Sequence, residues 1–135
     1  MNKVVKRVII AGSCLVVAAG LFFGGTLMLD TMRYRRIISE LEITTPNLAQ
    51  IEDGMFNGSF DAILVAADVD VTVENNMITE VIINDHYFGR DSAVEAEVVA
   101  IDVVESQSLY VDTVSGATNS SLVILKAIQL ALESE

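Results

Sequence analysis

Residues 115–121 read Ser115-Gly116-Ala117-Thr118-Asn119-Ser120-Ser121, four hydroxyls and a glycine in seven positions. They stand between a short extended piece, Leu109-Tyr110-Val111, and a stretch in which Leu122, Leu125, Ile128 and Leu132 recur at helical spacing. Such a loop is suited to holding a phosphate. The first N–H groups of a helix lack internal acceptors, the helix dipole favours an anion there, glycine lets the backbone approach closely, and the hydroxyls donate further hydrogen bonds. Ser, Thr and Asn are also the ordinary N-cap residues, so local chemistry leaves a purely capping role open beside the phosphate site.

Other chemistry is thinly supplied. His86 is the single histidine, and nothing near it in sequence pairs with it. It reads either as a proton donor, with Tyr87 and Phe88 as a stacking surface, or as an ordinary strand-end residue. Asp68, Asp70 and Glu74 alternate as strand residues do, which marks a solvated sheet face instead of a calcium loop. Ser115 lacks a G-x-S-x-G elbow, which argues against a hydrolase. One cysteine, Cys14, excludes a disulfide framework and, with one histidine, a Cys/His zinc site. Asn57-Gly58-Ser59 and Asn119-Ser120-Ser121 match the glycosylation triplet, a pattern that also arises by chance.

Charge divides the chain. Residues 1–36 hold six basic groups and one acid, a net +5, whereas residues 37–135 hold two basic groups and eighteen acids, a net −16. The second part has no basic patch to neutralise phosphates along a nucleic acid, so nucleic-acid binding is excluded, and the acidic surface favours cationic partners.

Residues 8–29 run twenty-two positions without a charge. At about 1.5 Å per helical residue they cross a hydrocarbon core of roughly 30 Å, which predicts one transmembrane helix in the lipid bilayer. The run exceeds the roughly 7–15 residues of a signal-peptide core, and no small-x-small site closes it. Most of the apolar run follows Cys14, which argues against a lipoprotein site there. Gly20 and Gly24 match a small-xxx-small helix-pairing pattern, a weak signal in a glycine-containing span. Lys3, Lys6 and Arg7 on one flank are balanced by Arg33, Arg35 and Arg36 on the other, so charge does not fix the orientation.

Beyond the span, residues 34–41 prolong the helix, and Pro46 begins a short helix capped by Thr45. Asp53-Gly54 and Asn57-Gly58 are turn signals around an alternating strand carrying Phe56, Gly58 and Phe60. Residues 68–74 alternate polar and apolar, Asn75-Asn76 supplies a tight turn, and residues 77–83 return as the second arm of a hairpin. Ser92-Ala93-Val94-Glu95 has the form of a capping box, with Val94, Val98, Ile101 and Val104 predicting the buried face of a helix over 92–106. The expected fold is α+β, an antiparallel sheet packed with two helices and preceded by one N-terminal transmembrane helix. The segments are a basic flank over 1–7, the span over 8–29, a linker over 30–52 and a domain over 53–135.

Residues 112–118, D-T-V-S-G-A-T, resemble the D-x-x-S-G-A-T signature of the FMN-binding domain found in membrane-bound extracytoplasmic redox proteins, including subunits of sodium-translocating NADH:quinone oxidoreductase and the Rnf complex. The resemblance extends to Asp53-Gly54-Met55-Phe56-Asn57-Gly58, similar to a D-G-x-Y-x-G opening, and to residues 71–81, similar to a V-x-V-x-x-G-x-I-x-x-V hairpin. Phe56 stands for the usual tyrosine, Asn76 for the hairpin glycine, and no E-T-P-G element follows His86. The chain therefore looks like a short stand-alone relative.

The resemblance implies FMN joined through its phosphate to the side-chain oxygen of Thr118, by a separate flavin transferase using FAD as donor. It implies that Ser115, Gly116 and Ala117 shape the turn, that Asp112 belongs to what the transferase recognises, and that the domain lies outside the cytoplasm and relays electrons between an unidentified donor and acceptor. The other readings are reversible FMN binding of the flavodoxin kind and a flavin-free acidic interaction domain. Flavodoxin order would need further strand-helix units after the loop, where one helix is expected.

Overall fold

A computed structural model describes residues 1–87 and 93–134. It divides into two compact units, residues 1–33 and 34–135. The first lies within helix α1 (Lys3–Ser39), whose apolar stretch is long and apolar enough to cross a membrane. The helix outlasts the uncharged run at both ends. Lys3, Lys6, Arg7, Arg33 and Arg36 are good helix formers, and Arg36 pairs with Glu40 at 3.0 Å.

The second unit contains strands β1 (Gly54–Asp61), β2 (Ala66–Glu74) and β3 (Met77–Tyr87), then helices α2 (Val98–Ser106) and α3 (Thr118–Leu132). The sheet is antiparallel with order β1-β2-β3. The β2–β3 hairpin turns at Asn75-Asn76, both at positive φ, as two-residue hairpin turns require and asparagine tolerates. Val69, Val71 and Val73 are fully buried, while Asp68, Asp70 and Glu74 occupy the other sheet face. Helices cover the apolar face alone, giving the expected α+β architecture with Ile78, Val103, Leu109, Ile124, Leu125, Ile128 and Leu132 in its core.

Gly58 is where β1 and α3 meet. A Cβ there would fall onto the Ala127 carbonyl oxygen and Ala131 amide nitrogen and lie 2.7 Å from Ala131 Cβ, so only glycine admits this helix. Asp53 accepts a hydrogen bond from the Asn75 amide at 2.8 Å, which ties the hairpin turn to the start of β1. Asn57 donates to Val69 O, Asp68 and Asp70 on the open face.

Residues 34–52 are packed on the domain instead of linking freely to it. Tyr34, Ile37, Ile38, Ile43 and Leu48 rest against the core. Buried Gln129 accepts from the Thr44 amide at 3.2 Å and donates to its hydroxyl at 2.9 Å, and Lys126 donates to the Glu42 carbonyl at 3.1 Å.

Two expectations are corrected. The short helix after Pro46 is a single 3-10 turn over Leu48–Gln50, capped by Asn47 and not by Thr45. The Thr45 hydroxyl is taken by the Leu109 amide at 2.9 Å, a partner 64 residues away. The helix expected over 92–106 begins as a 3-10 stretch (Ala93–Glu97) and becomes α-helical at Val98. Its proposed cap, Ser92, lies outside the described residues. The buried face is Ala96, Val99, Ala100 and Val103, whereas Val94, Val98 and Ile101 point outward and Val104 is half-buried. The segment carries two apolar stripes, and its local pattern does not say which of them the fold buries.

Candidate functional site at the start of the last helix

The chain enters α3 through a reverse turn. The Ala117 amide donates to Val114 O at 3.0 Å, which closes Val114-Ser115-Gly116-Ala117 as a β-turn with Gly116 at its third position. Gly116 has φ of 81°, the value a type II turn needs there. Space does not demand glycine, since a Cβ would meet nothing within 4 Å; the backbone angle does.

Ser121 braces this turn from below. Its hydroxyl accepts from the Val114 amide at 3.1 Å and donates to the Ala117 carbonyl at 2.9 Å, and its own amide donates to the same carbonyl. Val114 and Ala117 are thereby fixed to the first turn of α3.

The four hydroxyls therefore separate into two pairs. Ser120 and Ser121 are fully buried, and Ser120 Oγ has no hydrogen-bond partner among the described residues. Ser115 and Thr118 are exposed. Thr118 is the first residue of α3, and its hydroxyl makes no hydrogen bond to a described residue. The N-cap is Ala117, with no side-chain hydrogen bond to the helix. The capping role left open for these hydroxyls is not the one they take: among the described residues no side chain caps the first turn of α3. That turn carries no acidic residue either, although residues 37–135 have a net charge of −16. The first turn therefore adds no negative charge of its own to oppose the positive end of the helix.

Asp112 is exposed but sits apart in its surroundings. It lines an open crevice with Asp102, Glu105, Ser106, Tyr110 and Val111, in which none of residues 115–118 takes part. Three carboxylates make that crevice unfavourable for phosphate. Of the sequence candidates, Ser115, Gly116, Ala117 and Thr118 thus come together in one turn, with Asp112 leading into it.

His86 is buried, with a side chain 2% exposed, and its Nδ1 lies 3.4 Å from Glu97 Oε1. That contact joins β3 to the 3-10 stretch before α2. Tyr87 is exposed, and Phe88 lies outside the described residues. Asn57, the first glycosylation candidate, commits its side-chain amide to the hydrogen bonds named above, and Asn119 is half-buried in α3.

Sequence reasoning missed Gln107 and Gln129. Gln107 closes α2 at φ of 56° and pairs with both backbone groups of Ile78, accepting at 2.8 Å and donating at 2.7 Å, much as another strand would. A buried amide satisfied on both sides leaves no local pattern in sequence.

No curated protein and no solved structure matched the chain. The model of the FMN-binding domain family matches residues 38–133, most of the chain and nearly all of the second unit. With its signature turn at the head of α3, the chain belongs to the FMN-binding domain family, and FMN is its cofactor.

Proposed function

We propose that this protein is a membrane-anchored electron-transfer flavoprotein that carries FMN covalently on Thr118. The observation that carries the reading is the exposed, unengaged Thr118 hydroxyl at the first position of a fifteen-residue helix whose N-cap supplies no side chain. The residues present fit a phosphate diester there. Uncapped N–H groups, the helix dipole and the nearby Ser115 hydroxyl favour its negative charge, and no acid in the first turn opposes it. In the attachment step the Thr118 oxygen bonds to the FMN phosphorus of FAD, AMP departs with the bridging oxygen, and the hydroxyl proton is released. A separate flavin transferase performs this step, with Asp112 in the element it recognises.

Bound FMN supplies the redox chemistry, and the chain supplies attachment and placement. Residues 8–29 serve as a single-pass anchor in the cell membrane, with the domain outside the cytoplasm as the family resemblance implies. Its electron donor and acceptor are other proteins.

The full chain is co-expressed with an active flavin transferase, denatured in SDS and examined for flavin fluorescence on its band. Fluorescence on the wild type and none on Thr118→Ala is the expected result. Flavin released on denaturation would select reversible FMN binding. No flavin on a folded chain would leave the acidic interaction domain.

A further inference from the structure

Residues 93–106 carry two apolar stripes, and the domain uses one. Ala96, Val99, Ala100 and Val103 are the buried stripe, in a segment packed against β3 and α3, with Ala96, Val99 and Val103 fully buried. Val94, Val98 and Ile101 form the second stripe on the outward side and are 59%, 43% and 58% exposed. A helix apolar on both sides is the pattern of one covered on both sides. The outward stripe is not a set of scattered contacts. Together with half-buried Val81 and Ile83 of β3 and with Ala100 it lines one open groove, in whose lining Glu95 and Glu97 also stand.

We propose that this groove docks a helix of a different protein, one presenting an apolar ridge flanked by Lys or Arg. Val98 and Ile101 stand about one α-helical turn apart and Val94 extends their line from the 3-10 stretch, an apolar line along which another helix can lie. Charge selects among occupants. Glu95 and Glu97 line the groove and Glu105 is exposed further along the same segment, within residues 37–135 of net −16. A second copy brings the same charge and is repelled, as is an anionic bilayer surface. A basic amphipathic helix is attracted, steered to the groove and held by apolar burial. The groove contains none of the residues of the α3 turn, so the proposal stands apart from flavin attachment.

The test is site-specific photocrosslinking in the full membrane-bound chain, with a photoreactive phenylalanine analogue at position 98 or 101 and, as control, at Met55, which is at least as exposed on β1. Positions 98 and 101 are expected to give an adduct with one other protein and position 55 none. The crosslinked segment, mapped by mass spectrometry, should show an apolar helical ridge flanked by Lys or Arg. Ile101→Glu, at an exposed position, should lower the yield from position 98 by at least about tenfold, and added salt should lower it as well. Thr118→Ala should leave the adduct intact, which separates this inference from the flavin reading. Adducts with lipid or a second copy, equal yields at position 55, a segment lacking the basic ridge, or no adduct would each overturn the proposal.

Discussion

The two family motifs of this chain are put to different uses. In Asp53-Gly54-Met55-Phe56-Asn57-Gly58 the distinctive groups are consumed by the fold: Asp53 fixes the hairpin turn, Asn57 ties β1 to β2, and Gly58 makes room for α3. In residues 112–118 the fold uses only the backbone of the turn, held by Gly116 and the Ser121 brace, and leaves Ser115 and Thr118 facing solvent. A motif residue with no structural employment is where chemistry should be sought, and Thr118 is the clearest instance.

Gly58→Ala should break the first motif most severely. With backbone and Cβ atoms of α3 in the way, β1 and α3 must separate, and destabilisation of about 3 kcal/mol is expected from thermal or urea unfolding. A variant as stable as wild type would mean that the close approach is not what fixes this glycine. Ser121→Ala should cost about 1–2 kcal/mol, since the Val114 amide loses its acceptor, and should lower flavin attachment by loosening the turn. Gly116→Ala should cost about 1 kcal/mol, through the backbone angle alone. These two losses in the second motif sharpen the contrast if attachment falls further than stability.

The smallest effect concerns Asp70. The Asn57 amide, at 2.8 Å, and then Asn84 hold its carboxyl below the ordinary carboxylate value. A lowered folded-state value means that its contribution to stability is present above the ordinary value and is lost as pH falls through the folded one. An NMR titration should find Asp70 titrating low, and Asn57→Ala should return it toward the ordinary value. The group is exposed, so the change in stability should be slight.

Legibility in the sequence followed the range of the interactions. The β2–β3 hairpin could be read because strict alternation and Asn75-Asn76 are local signals. The α+β architecture and the position of Thr118 at the head of α3 were legible for the same reason. The inward face of residues 93–106 was not, because two apolar stripes compete and only packing on β3 and α3 decides between them. Thr45 was misread as a cap because its partner, Leu109, is remote. Within the site, the loop was legible but the division of its hydroxyls was not: Ser120 and Ser121 resemble Ser115 and Thr118 until α3 is laid on the sheet.

The most direct measurement is the intact mass of the full chain after co-expression with flavin transferase, for wild type and Thr118→Ala, alongside thermal unfolding of both. The wild type should gain the mass of one FMN less water, and the variant should gain none while melting within about 0.5 kcal/mol of wild-type stability, as an exposed and unengaged side chain requires. A folded Thr118→Ala chain that still carries the added mass, or a wild type that never gains it beside an active transferase, would contradict the account.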